Sequence, residues 1–174
     1  LEIQNTYAEW YYGPYRAQGR ECQHCHMPAY NGRGTNDSPE RPDIRAHAFL
    51  GGHTEMVKKA ALVSLWAQVS EKSGTRLIRI NAVVTNAGSG HLVPTGMPGM
   101  RQLWLEVAVK TPNGGEVFTG RANFGLSLLD QNGNPAMPWN AVRAASDTRI
   151  APQRSRRENF EFKAPNLNLE AGAK

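Results

Sequence analysis

RLIRINAVVTN (residues 76–86) decides how the rest of the chain is read. Extended, it puts Ile78, Ile80, Ala82 and Val84 on one side and Arg79, Asn81 and Thr85 on the other, the period of two that marks a half-buried strand. LWLEVAVKT (residues 103–111) alternates in the same way and runs into PNGG (residues 112–115), a tight-turn signal of the hairpin kind. EVFTG follows, then FGLSLLD (residues 124–130), a second turn QNGN, and a further alternating run, RRENFEFKAP (residues 156–165). ALVSLWAQVSE (residues 61–71) fits a helix end or a strand and is read as a first strand over residues 63–71. Short strands at this spacing, separated by Gly, Pro and Asn turns, predict an immunoglobulin-like antiparallel β-sandwich. The Cys-Trp-Cys core of true immunoglobulin domains is absent, so the expectation concerns architecture alone. After Pro165 only NLNLEAGAK remains, so the closing strand is expected to be short or to lie beyond the given chain.

The chain has 174 residues, with 17 glycines and 11 prolines, which suits a mainly β, loop-rich body. The segment before it has another texture. AEWYYGPY (residues 8–15) is a short amphipathic piece ending at Gly13-Pro14, and NGRGTNDSPERPD (residues 31–43) is rich enough in turn formers to be read as an exposed loop. The expected organisation is a short irregular or helical segment over residues 1–60 and a β-sandwich over residues 61–174, which lacks its closing strand on one reading. The formal charge of +5 comes from scattered basic residues, clustered only in QRSRRE (residues 153–158), so nucleic-acid binding is not expected. No run approaches the roughly 18 apolar residues of a membrane-spanning helix. There is no initiating Met and no apolar leader, so an export signal is expected to have been removed or to lie outside these residues.

The chain's two cysteines stand together in ECQHCHMP (residues 21–28). A thioredoxin-like redox pair would need a helix N-terminus in a βαβ setting, and none is visible. A structural zinc site needs four ligands; with Cys22 and Cys25 these would come from His26, His47 and His53, leaving unexplained why a histidine directly follows Cys25. Covalent haem c explains that adjacency. Both cysteines form thioethers with the porphyrin, and the next residue is placed under the iron as an axial imidazole. Cys22, Cys25 and His26 take those roles, with His26 as the proximal ligand of one haem c.

For the distal face, His24 is tied inside the attachment loop and is read as an exposed loop residue. His47 and His91 compete, His47 from HAFLGGH (residues 47–53) and His91 from a loop following a strand. His53 ranks after them, and Met97 or Met100 after that. Met27 is excluded by its place beside the proximal ligand, and Met56 is read as core.

With these motifs in view, the chain resembles the C-terminal part of multihaem c-type cytochromes. The resemblance rests on Cys22, Cys25, His26, Met27 and Pro28; on His47, Phe49, Gly51 and Gly52; and on Asn86, Gly88, Gly90, His91, Pro94, Thr95, Gly96 and Arg101. It implies extracytoplasmic electron transfer, in the periplasm or outside the cell, with redox protein partners such as other cytochrome subunits or haems. This chain departs from the pattern in having one CxxCH, which leaves more distal candidates than haems. The leading reading is a one-electron carrier with a six-coordinate, bis-histidine haem rather than an enzyme. The alternatives are a haem enzyme or gas sensor with an open sixth position, and a zinc-stabilised, haem-free interaction module.

Overall fold

A computed structural model describes residues 4–51 and 55–164. In chain order the elements are α1 (Thr6–Tyr11), α2 (Pro14–Ala17), α3 (Cys22–His26), β1 (Ala29–Gly32), β2 (Arg41–Arg45), α4 (Met56–Ala60), β3 (Ala61–Lys72), β4 (Thr75–Asn86), β5 (Leu103–Lys110), β6 (Glu116–Phe124), β7 (Leu126–Leu129), β8 (Arg143–Asp147) and β9 (Ser155–Lys163). The chain is mainly β, and every strand pairing is antiparallel among the described residues.

β4 is the centre of the order β3-β4-β9. It joins β3 through Ser73 (φ 52) and Gly74 (φ 73), a two-residue connection with both φ positive, whose twist suits a tight hairpin. Ile78, Ile80, Ala82 and Val84 turn to one face and are buried there, as their alternation requires. Against them pack Leu105 and Val107 of β5 and Phe124 of β6, with Phe118, Ala122, Phe160 and Phe162 around the rim. Phe118 and Phe162 lie nearly parallel with ring centres 4.7 Å apart, so the β5-β6 hairpin and the β4-β9 pair face each other. Each fully buried aliphatic side chain contributes on the order of 1.5–3 kcal/mol, and this row is the main source of the body's stability.

β3 is an edge strand. Its register sets Val63, Leu65 and Val69 beside Val84, Ala82 and Ile78, yet all three are exposed, because the second sheet packs over β4 and β9. The closing strand expected after Pro165 falls outside the described residues.

Two elements escape the sequence pattern. The polar run at residues 31–43, expected as an exposed loop, begins in β1 and ends in β2, an antiparallel pair in which Tyr30 stands opposite the buried Ile44; the turn formers conceal a pairing held by one apolar residue. β8 is exposed throughout and pairs with β7 through its backbone, so it has no alternation to read. None of the described helices is long and apolar enough to cross a membrane.

The loop between β4 and β5 matters most for function. It is pinned to the body by the reciprocal backbone hydrogen bonds of Val93 and Ile150, at 3.0 and 2.9 Å.

Candidate haem-binding site

Cys22, Cys25 and His26 occupy the single turn of α3, and positions i, i+3 and i+4 of a helix share one face. The helix starts at Glu21, whose extended backbone (φ −92, ψ 169) and side chain cap it. His24 Nδ1 accepts the Glu21 backbone N–H at 3.0 Å, so this histidine serves its own helix. Cys22 is exposed and Cys25 half-buried, and no disulfide joins them. The sulfurs are therefore accessible on the same face as the imidazole of His26.

His26 is oriented from residue 50. Its Nδ1 meets the Leu50 carbonyl, and the Leu50 backbone N–H returns to the His26 carbonyl at 3.0 Å. With Nδ1–H donated to that carbonyl, Nε2 keeps its lone pair for a metal. Phe49, exposed and at φ 45, lies nearly parallel to His26 with ring centres 6.0 Å apart.

A second imidazole, that of His91, lies near and almost parallel to His26. The two ring centres stand 6.2 Å apart, with 13° between their planes. Imidazole nitrogens bind metal ions at about 2.0–2.1 Å, and a ring centre lies about 1.2 Å behind its nitrogen, so two imidazoles facing each other across one ion have centres roughly 6.4–6.6 Å apart. The spacing of His26 and His91 is within a few tenths of an ångström of that range. His91 Nδ1 faces the Leu92 carbonyl at 2.9 Å and Ser89 Oγ at 2.9 Å, while its Nε2 is 3.3 Å from the same hydroxyl. With Nδ1–H donated to the carbonyl, a small rotation of the Ser89 hydroxyl leaves His91 Nε2 free.

The loop that carries His91 is fixed by Asn86, which is completely buried. Its Nδ2 donates to the His91 carbonyl at 2.8 Å and the Ile150 carbonyl at 3.0 Å, and its Oδ1 accepts the Ser89 N–H at 3.1 Å. Gly88 lies so close to α4 that a Cβ there would come within 2.0 Å of the Lys59 carbonyl oxygen, which only glycine permits. Trp10 and Tyr15 lie against Gly90, and the Tyr15 hydroxyl donates to the Ala87 carbonyl at 3.2 Å.

A second set of contacts reaches the same loop from α1. Glu9 Oε2 accepts the Leu92 backbone N–H at 3.1 Å and the Thr95 hydroxyl at 2.7 Å, and Glu9 Oε1 pairs with Arg149 at 2.9 Å. Arg149 also grips Asp147 at 2.7 Å. Burial pushes the Asp147 carboxyl up, but hydrogen bonds from Arg149 outweigh it and hold the group below its ordinary 3.8. The hydrogen bond to Asp147 likewise raises Arg149, against its own burial. Neither Glu9 nor Arg149 stands out in the sequence. A carboxylate in a helix of six residues and an arginine in a loop are ordinary until the fold joins them across 140 positions.

The remaining candidates are dispersed. His47 is exposed in the turn between β2 and Phe49, and His53 lies outside the described residues. Met97 lines a small cleft with Thr95, Arg101 and Arg149, and Met100 is exposed. Among the described residues no group of three or more His, Cys, Asp or Glu side chains is arranged to hold a metal by itself. The residues present fit a haem better than a zinc ion, because they supply two cysteines on one helical turn with His26 and a neighbouring, near-parallel His91 rather than one four-ligand cluster.

No protein-family model matches the chain, and no curated protein does. Among solved structures it is similar to a penta-haem cytochrome c552 from Thermochromatium tepidum. The TM-score is 0.68 and the identity 26%, over 92% of this chain and 39% of that one. The similarity supports a relationship to multihaem c-type cytochromes. This chain spans well under half the length of that cytochrome.

Proposed function

We propose that the chain is a c-type cytochrome module that passes single electrons through one covalently attached, six-coordinate haem. Cys22 and Cys25 would hold the porphyrin as thioethers, His26 would be the proximal ligand and His91 the distal one. The observation that carries this reading is the pair of near-parallel imidazoles of His26 and His91, 6.2 Å apart. When bound, the haem supplies a one-electron couple between ferric and ferrous iron.

The chain's own contribution is to hold both imidazoles ready. Leu50 orients His26 by a two-way hydrogen bond, and Asn86 and Ser89 orient His91. Two imidazoles on one iron give a lower potential than an imidazole and a thioether. Fixing both ligands also limits rearrangement on electron transfer and leaves no open position for substrate. The similar penta-haem cytochrome supports an electron carrier rather than an enzyme, and a site of action outside the cytoplasm. In this reading residues 1–60 carry the haem, and residues 61–174 supply the distal ligand and a surface for redox partners, among them other cytochrome subunits or haems.

A haem stain on a denaturing gel, a reduced-minus-oxidised spectrum and carbon monoxide addition test the proposal. Covalent staining with a low-spin spectrum that carbon monoxide leaves unchanged is expected. An unstained band would favour the zinc-stabilised module, and rapid carbon monoxide binding to the ferrous protein would favour an open-site enzyme or sensor.

A further inference from the structure

We propose that Glu9, clamped by Arg149 and Thr95, is the positioning residue that holds His91 against its haem. The inference rests on the His26 and His91 ligand pair proposed above.

His91 is fixed on one side by the body. Asn86 holds its carbonyl, and Val93 is bonded into the strand-like bridge with Ile150. Between these anchors lies Leu92, whose N–H follows His91 directly and whose carbonyl accepts from His91 Nδ1 at 2.9 Å. The Leu92 carbonyl therefore sets the rotation of the imidazole, and Leu92 itself is anchored at its other end. Its N–H is held by Glu9 Oε2, a carboxylate on the other region of the molecule.

The Glu9 side chain is 8% exposed and its partner Arg149 14%, so little water competes for them. Three bonds hold the carboxylate: one oxygen takes Leu92 N–H and Thr95 Oγ, and the other takes the guanidinium. The Thr95 hydroxyl also meets Thr6 Oγ at 2.8 Å, which ties the start of α1 to the same point. Arg149 is in turn aligned by Asp147, through Nε at 2.9 Å and a second nitrogen at 2.7 Å. A charged hydrogen bond in so dry a setting is stronger than the neutral bonds elsewhere in the loop. The chain Asp147, Arg149, Glu9, Leu92, His91 is thus continuous, and it joins the segment bearing Cys22, Cys25 and His26 to the loop bearing His91. Glu9 fixes where the two ligand-bearing pieces meet.

The test compares the haem-loaded wild type with Glu9→Ala, Glu9→Gln and Thr95→Val. The readouts are the low-spin fraction, the rate of carbon monoxide binding to the ferrous form, amide hydrogen exchange at Leu92, and thermal unfolding of the β body. Glu9→Ala is expected to keep covalent staining and the body's unfolding transition. It should expose the Leu92 amide and raise the population with His91 detached, and hence the carbon monoxide rate, by roughly 10- to 100-fold. Glu9→Gln, which keeps the shape but loses the ion pair, should fall between it and wild type, and Thr95→Val should show a smaller change in the same direction. If Glu9→Ala does not fold, the graded pair Glu9→Gln and Thr95→Val carries the test. A Leu92 amide that stays protected, with carbon monoxide kinetics at the wild-type rate in the folded variants, would overturn the inference. A wild type without a covalent low-spin haem would instead overturn the proposed function, so the two failures are distinguishable.

Discussion

From β3 onward the chain is ordered by rows of aliphatic and aromatic side chains: Ile78, Ile80, Ala82 and Val84 meet Leu105, Val107 and Phe124 across two sheets. Before β3, Tyr15 and Ile44 are the buried hydrophobic residues among those described, and both lie outside the turn that carries the cysteines. That segment buries too little apolar surface to fold by itself. It is docked through polar contacts instead, from Glu9 to Arg149, from Tyr15 to Ala87 and from Ala60 to the backbone of Ala87 and Gly88. One region is held by its core; the other, which carries Cys22, Cys25 and His26, is held to it by hydrogen bonds and, in the proposed function, shares a haem with His91 of the first. Perturbing the two should have separable consequences.

The largest expected effect is on the site. Replacing Cys22 and Cys25 together by Ser should abolish covalent haem staining completely while the β body still unfolds cooperatively, as followed by circular dichroism. Loss of the β transition as well would show that the body depends on the attached segment. The converse change is Ile80→Ala, at a position only 4% exposed. It should lower stability in urea by about 2–5 kcal/mol with the haem spectrum unchanged.

Asn86 belongs to both regions, since it ends β4 and holds the His91 carbonyl. Asn86→Ala should cost on the order of 1–3 kcal/mol through the acceptors and donor it strands, and should also raise the fraction of high-spin haem. A loss of stability alone would confine Asn86 to the body. The smallest effect is in acid. The folded Asp147 carboxyl titrates below its ordinary 3.8, so the unfolded chain takes up the proton first and the stabilisation is complete above that value. It is lost as pH falls through the lower folded value, so wild type should lose more stability than Asp147→Asn as the solution is acidified below 3.8.

This division also explains what could be read from the sequence. The body was legible because a period of two is local: residues 76–86 announce a strand without reference to anything distant. The apolar row of β3 alternates equally well, and only the packing leaves it exposed. At the site, the expectation of a haem rests on the five residues of CxxCH, and the structure folds them into one helical turn. The choice between His47 and His91 was not legible. Both follow plausible loops, and among the contacts that hold the His91 loop near His26 are a carboxylate and a guanidinium 140 positions apart, each unremarkable in its own stretch of sequence. The role of residue 50 was hidden for a similar reason, since it acts through a backbone carbonyl that any side chain could carry.

The most direct test of the central claim, that His26 and His91 face one iron, is the absorption spectrum of haem-loaded His91→Ala beside that of His47→Ala. The account predicts that His91→Ala becomes high-spin and binds carbon monoxide, that added imidazole restores the low-spin spectrum, and that His47→Ala is indistinguishable from wild type. A His91→Ala protein that stays low-spin, or a His47→Ala protein that loses its low-spin spectrum, would contradict it.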